Sequence, residues 1–252
     1  MKQVYFIGAG PGDPELITLK GVKAIQQAGI VIYAGSLVNP EILRYASEDA
    51  EVFNSASMDL GEVLAVMERG AGEGKIIARV HTGDPAIYGA IQEQMDALTQ
   101  KGITFEVIPG VSSFLAAAAA LQQEYTLPDV TQTVILTRME GRTPVPDRER
   151  LSELAKHGAT MCIFLSVHAI SEVTAELRQG YGEDTPVAVI QKASWPEQKV
   201  VRGTLGDIAD KVTAAGISKT ALIIVGDVFR GQYEKSKLYD PGFTHGYREG
   251  KS

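Results

Sequence analysis

Val4-Tyr5-Phe6-Ile7-Gly8-Ala9-Gly10-Pro11-Gly12-Asp13-Pro14-Glu15-Leu16-Ile17-Thr18 is the stretch whose reading decides the fold. An apolar run suited to a buried strand passes into three glycines that alternate with Ala and Pro, and then into an acidic turn. Glycines after a first strand commonly let a phosphate approach a helix N-terminus. The dinucleotide fingerprint G-x-G-x-x-G is not met, because after Gly8 and Gly10 the third glycine position holds Asp13. Pro11 removes an N–H that would grip a pyrophosphate, and the second apolar run, Ile30 to Tyr33, ends without an acid for a ribose. The loop is shaped for close backbone approach, and the carboxylate at its tip disfavours an anionic ligand.

Outward from that loop, short apolar runs alternate with helical periodicity, the pattern of an α/β domain with a largely parallel sheet. Thr18 is placed to cap a helix with Leu19, Val22 and Ile25 on its apolar side, closed by Gly29. The residues after Pro40 and after Pro85 predict further helices, the latter with Ile87, Ile91, Met95 and Leu98 on one face. Ser112 or Ser113 is placed to cap an alanine-rich helix to Leu121. Residues 122–131 break the rhythm, so the expected division is an N-terminal α/β domain over 1–121 and a C-terminal one over 122–252. In the second half strands are expected at 133–137, 160–165, 187–191, 200–204 and 222–225, and helices near 147–156, 169–179 and 205–215. Two strands flank Ala193-Ser194-Trp195-Pro196 with no helix between them, which predicts an antiparallel hairpin and a mixed C-terminal sheet. The tail from Gly226 carries Phe229, Tyr233, Tyr239, Phe243 and Tyr247, and so many aromatics predict a tail packed on the body.

Bulk properties remove several function classes. A net charge of -7 argues against a nucleic-acid partner. The single cysteine, Cys162, lies in an apolar strand run, so it reads as a core residue of a cytoplasmic protein rather than a nucleophile. No apolar run reaches the ~18 residues of a membrane span, and the N-terminus lacks a signal peptide's cleavage site. No G-x-S-x-G occurs, and His81, His157, His168 and His245 lack the spacing of a zinc site, so no metal is expected.

Ligands of open α/β sheets sit beyond the carboxyl ends of strands. Four loops fall there: residues 8–14, 34–40, 81–85 and 109–113. The motifs Ile7-Gly8-Ala9-Gly10-Pro11-Gly12-Asp13-Pro14, Leu16-Ile17-Thr18-Leu19-Lys20, Gly83-Asp84-Pro85 and Pro109-Gly110-Val111-Ser112-Ser113 resemble the tetrapyrrole methylase family. The similarity extends through Pro186-Val187-Ala188 and Thr220-Ala221-Leu222-Ile223-Ile224-Val225-Gly226. Tyr33-Ala34-Gly35-Ser36-Leu37-Val38, His81-Thr82-Gly83-Asp84-Pro85, Ala193-Ser194-Trp195-Pro196 and the tail 237–248 resemble the branch that methylates C11.

The resemblance implies two α/β domains with the active-site cleft between them. It implies S-adenosyl-L-methionine as methyl donor, leaving as S-adenosyl-L-homocysteine, a precorrin-4 or cobalt-precorrin-4 substrate in corrin biosynthesis, and a homodimer. By family position the cofactor-binding residues would be Pro11, Gly83, Asp84, Pro85, Ile87, Ser112 and Ser113, with Ser166, Ala188, Thr220 and Ala221 from the second domain. Ser166 stands where other members commonly have Met. Asp13 and His81 are the catalytic candidates: Asp13 either meets pyrrole N–H groups or caps a turn, and His81 either moves a proton or bonds loop backbone. Arg79, Arg138, Arg142, Lys192 and Arg202 are candidates to hold substrate carboxylates. The alternatives are a family enzyme acting on another precorrin carbon, a methylase of protein histidine or ribosomal RNA, and a non-catalytic tetrapyrrole-binding protein.

Overall fold

The computed structural model describes residues 3–251, so the ends of the two expected domains, residues 1, 2 and 252, lie outside the described residues. Two compact units are present. One comprises the chain up to Ala117 together with Lys192–Gln198; the other comprises Ala118–Gln191 together with the chain from Lys199 on.

The first unit is built on a five-stranded, wholly parallel sheet of β1 (Val4–Gly8), β2 (Ile30–Tyr33), β3 (Glu51–Asn54), β4 (Ile77–His81) and β5 (Phe105–Ile108). The order is β3-β2-β4-β1-β5. Both faces are covered at β1, β2 and β4, which is why these three strands read as largely apolar runs. Ile7, Val31, Ala78 and Val80 face α1 (Leu19–Gln27), through Ala24 and Ile25. Phe6, Ile30, Ile32 and Ile77 face α2 (Leu60–Gly72) and α3 (Gln92–Gln100), through Val63, Met67 and Leu98. The connections that leave the neighbouring strands β1 and β4 therefore go to opposite faces of the sheet. Such a reversal opens a crevice outside the carboxyl ends of the two strands.

Local chemistry accounts for the element boundaries. Thr18 caps α1, its hydroxyl accepting from the Gly21 N–H at 3.1 Å. Asp59 and Glu62 cap α2 reciprocally, each side chain accepting the other's N–H at 2.8 Å. Two expected helices are shorter than their periodicity suggested. Residues after Asn39 make only a 3-10 turn, Pro40–Tyr45. The helix expected from Pro85 begins at Gln92, because Tyr88 and Ala90 adopt left-handed φ angles of 57° and 49° that no right-handed helix accommodates. The alanine-rich α4 (Ser113–Leu121) follows β5.

The second unit carries β6 (Val134–Arg138), α5 (Leu151–Ala155), β7 (Thr160–Phe164), α6 (Ile170–Leu177), β8 (Pro186–Gln191), β9 (Lys199–Thr204), α7 (Ile208–Ala214) and β10 (Ala221–Val225). Its sheet has the order β6-β7-β10-β8-β9 and is mixed: β6 and β7 run parallel, whereas β10 is antiparallel to β7 and β8, and β8 to β9. The expected hairpin is present. One face buries Met161, Ile163, Val187, Val189, Ile223 and Val225 against the three helices. Cys162 is a buried residue of β7.

The tail differs from expectation. Tyr233, Tyr239 and Tyr247 are exposed, Tyr247 almost fully. Residues 237–251 instead satisfy one another: the Arg248 guanidinium donates to the carbonyls of Leu238 and Asp240, and the Gly250 N–H donates to the Thr244 hydroxyl. Turn-rich backbone bonded locally in this way does not require burial of its rings, although the Arg248 Nε is buried without a hydrogen-bond partner.

Replacing Asp59 by Ala removes the N-terminal cap of α2. Urea unfolding is expected to show a loss of about 1 kcal/mol with an unchanged slope.

Candidate active site

Three loops leave the carboxyl ends of β1, β4 and β5, and their backbones touch. A Cβ added to Gly8 would lie 2.6 Å from the Gly110 Cα and 2.6 Å from the Gly83 carbonyl oxygen; one on Gly110 would lie 2.7 Å from the Gly8 Cα. Side chains are excluded there. The contact is also bonded: the Gly83 N–H donates to Gly10 O at 2.7 Å, the Gly10 N–H to Gly83 O at 3.3 Å, and the Ala9 N–H to His81 O at 2.8 Å. Asp84 adds the third side, its carboxylate accepting from the Gly110 N–H and from the Ala86 N–H, both at 2.8 Å. The acid that the sequence singles out is thus a strut that laces the β4 loop to the β5 loop.

Around this junction the structure gathers most of the first domain's predicted site residues. Pro11, Gly83, Pro85 and Ser112 are buried, and Asp84, Ile87 and Ser113 are half-buried. Ser112 lies beside Gly83, its Cα 3.5 Å from where a Gly83 Cβ would stand. Asp13 caps the 3-10 turn Pro14–Leu16, one carboxylate oxygen accepting from the Glu15 N–H at 2.8 Å. The capping alternative is therefore what the geometry contains, with the second oxygen left for another donor.

His81 occupies the last position of β4, paired with Gly8. Its ring is 5% exposed and tilted against Phe6 at 6.2 Å, and its Nε2 has no hydrogen-bond partner. The alternative in which its side chain bonds loop backbone through Nε2 is not realised. Burial, aided by the nearby Arg79 charge, pushes its pKa down to about 3, so the imidazole is neutral at ordinary pH. Arg79, two residues earlier on the same face of β4, is buried and donates to Gln94 Oε1 (3.3 Å), Ile32 O (3.4 Å) and Ser55 Oγ (3.0 Å). These acceptors are all neutral, and burial lowers the guanidinium's pKa to about 10.

The second domain's predicted residues collect at one edge of its sheet. The register that pairs Ile223 with Ile163 and Ala221 with Gln191 brings the end of β7, the end of β8 and the start of β10 to that edge. Thr220 and Ala221 lie there, beside Leu165 and Ser166. Thr220 and Leu165 hold φ angles of 54° and 55°, a costly conformation for a β-branched residue such as Thr. Ser166 is fully committed: its hydroxyl donates to Phe164 O at 2.6 Å and accepts from the Met139 N–H at 2.8 Å. It braces β6 against β7. Ala188 is separate from this edge, buried inside β8 between Ile224 and Arg202.

Most of the cationic candidates have other work. Arg138 donates to the carbonyls of Met139, Thr143 and Pro144, and Arg202 to Leu121 O. Lys192 pairs with Glu197 at 3.5 Å and lies 5.2 Å from the Trp195 ring; Arg142 is exposed. A contact that sequence reasoning did not place is the indole N–H of Trp195 donating to Pro11 O at 2.9 Å. Its signal was the chain's single tryptophan, in a hairpin connection.

The sequence profile of the tetrapyrrole (corrin/porphyrin) methylases matches residues 3–209. The chain belongs to that family. It is 58% identical over 250 residues to the cobalt-precorrin-4 C(11)-methyltransferase of Methanocaldococcus jannaschii, covering 98% of this chain and 96% of that protein. The X-ray structure of a cobalt precorrin-4 methyltransferase of cobalamin biosynthesis superposes with a TM-score of 0.87 at 51% identity, covering 89% of this chain and 95% of that one. The uroporphyrin-III C-methyltransferase of Thermus thermophilus complexed with S-adenosyl homocysteine gives a TM-score of 0.77 at 27% identity, covering 90% and 99%.

His81 generates a test. Its folded pKa of about 3 lies below the unfolded value, so the unfolded chain binds the extra proton between them. Its contribution is complete above about pH 6.5 and is lost toward pH 3 by up to about 1.4 kcal/mol per pH unit. His81→Asn is expected to flatten the pH dependence of the unfolding free energy, measured by urea titration between about pH 6 and pH 4, relative to the parent.

Proposed function

We propose that this chain transfers the methyl group of S-adenosyl-L-methionine to C11 of precorrin-4, or of its cobalt complex, in corrin-ring biosynthesis, as a cytoplasmic homodimer. The observation that carries the reading is the bonded glycine junction of Gly8, Gly83 and Gly110, found in a chain with the relatives named above. A junction walled by backbone and small residues, with the buried Nε2 of His81 beside it, fits an uncharged-to-cationic nucleoside cofactor better than a phosphate. The residues proposed to hold the cofactor are Gly83, Asp84, Pro85, Ile87, Ser112 and Ser113, with Thr220, Ala221, Ser166 and Ala188 as the further candidates, whereas Pro11 faces the macrocycle. Asp84 acts through the loop it braces, and Ser166 through the strand ends it joins.

The cofactor supplies an electrophilic methyl group on a sulfonium. The chain's own part is placement, which can supply roughly 7–11 kcal/mol of a barrier when reacting atoms are held at near-attack distance. The rigid β1 loop offers the macrocycle a backbone wall. The free oxygen of Asp13 accepts a pyrrole N–H whose acidity rises as the ring loses electron density. Neutral His81 offers Nε2 as an acceptor in a dry site; burial disfavours its acting as a cationic acid. No nucleophile or triad is required.

Isothermal calorimetry is expected to show S-adenosyl-L-homocysteine binding and no heat with NADH; an absence of heat with the first ligand overturns the reading. Asp84→Asn turns one acceptor into a donor facing an N–H, and is expected to weaken that binding by about 10-fold or more. Turnover assays with precorrin-4 and its cobalt complex assign the substrate form, and turnover of neither overturns the C11 assignment.

A further inference from the structure

Three successive residues of the β1 loop have a main-chain group held by a side chain from elsewhere in the first unit. Pro11 O accepts from the Trp195 indole N–H (2.9 Å), Gly12 O from Asn39 Nδ2 (2.8 Å), and the Asp13 N–H donates to Ser194 Oγ (3.0 Å). The indole also lies against Gly12, since a Cβ added there would stand 2.0 Å from its Cδ1 and 2.1 Å from its Nε1. Two of the three anchors come from Lys192–Gln198, a stretch that lies between β8 and β9 in sequence but belongs to the first unit by its contacts.

The anchoring stretch is itself built for the purpose. Roughly two to five residues close a β-hairpin, and this connection is longer. Lys192 and Ser194 hold left-handed φ angles of 50° and 70°, each costing free energy that only surrounding contacts can maintain. The Ser194 N–H is fixed by Gln198 Oε1 at 2.9 Å, and Lys192 lies 5.2 Å from the indole. A loop that needed only to be folded would be served by any apolar cover. Here a directional N–H, a hydroxyl and a ring with no tolerance for a methyl group specify where Pro11, Gly12 and Asp13 stand.

We propose that Trp195 is a positioning residue of the methyl transfer, which fixes the Pro11–Gly12–Asp13 wall against which the tetrapyrrole is placed. This rests on the functional reading above. Because Asp84 and Gly110 brace the cofactor side of the junction independently, the proposal separates two quantities: tetrapyrrole placement depends on Trp195, and cofactor affinity does not.

The test combines steady-state kinetics with calorimetry on the full-length protein. Trp195→Phe keeps an aromatic ring, smaller than the indole, but removes the N–H and is expected to lower kcat/KM for the tetrapyrrole by about 10-fold; Trp195→Ala is expected to lower it by about 100-fold. Binding of S-adenosyl-L-homocysteine should stay within about threefold of the parent, which also shows that the variants are folded. Gly12→Ala should mimic the loss by displacing the indole, seen as a red shift in emission from the chain's one tryptophan. In the double variant Gly12→Ala/Trp195→Ala the two losses should not multiply, since the clash is gone. Parental kinetics in Trp195→Phe and Trp195→Ala, multiplicative losses in the double variant, or a loss of cofactor affinity equal to the kinetic loss each overturn the proposal. The functional reading fails separately, through absent cofactor binding by the parent.

Discussion

The close approach of Gly8, Gly83 and Gly110 is the constraint on which the rest of the site depends. Three strand ends of a parallel sheet splay where the connections part to opposite faces, and the usual result is a crevice with independent loops. Here the loops meet at distances no side chain tolerates, so attraction between backbone dipoles replaces side-chain packing. The Gly10–Gly83 pair and the Asp84 carboxylate then turn three loops into one bonded body. A site whose donors and acceptors are already fixed does not have to order them when ligands arrive, and that is where preorganisation gains rate.

Beneath the junction the sheet changes character along β4. Ile77 faces apolar neighbours, whereas Arg79 and His81, on the same face, carry polar groups into a buried layer. Burial disfavours charge on both, and the proximity of the two reinforces it for His81. Arg79 remains acceptable because Gln94, Ser55 and Ile32 supply acceptors, and His81 because it stays neutral. The left-handed residues Tyr88 and Ala90 follow directly after this layer, and Leu165 and Thr220 stand at the corresponding edge of the other sheet. The left-handed residues thus fall in the connections and are absent from the strand interiors.

Periodicity made the sheets readable from sequence: runs such as Ile30 to Tyr33 and Ala221 to Val225 are apolar because both faces are covered. The absence of a helical pattern between 191 and 199 likewise announced the hairpin that makes the second sheet mixed. What periodicity could not convey is where a side chain's polar atoms go. Ile87 and Ile91 keep helical spacing although the chain between them is not helical, because two φ angles are invisible to hydropathy. Asp84 and Ser166 stand out in the sequence as candidates, yet their oxygens are spent on Gly110, Ala86, Met139 and Phe164. The arginines misled for the same reason: guanidinium groups that cap carbonyls look identical in sequence to ones that face solvent.

The opening loop shows how far these levels combine. Its departures from a dinucleotide fingerprint, Pro11 and Asp13, first indicated only what it does not bind. Pro11 has no N–H to offer, but its carbonyl is free to be gripped, and the indole of Trp195 grips it from 184 positions away in the chain. Asp13 removes the third glycine, and in its place caps the turn that aims the chain toward α1. Since Gly10 is bonded to Gly83, a loop held at Pro11 by an indole and at Gly10 by the β4 loop has little freedom along its length. Gly10 and Pro11 are adjacent in the chain, so these two anchors stand one residue apart and their separation is set by covalent geometry.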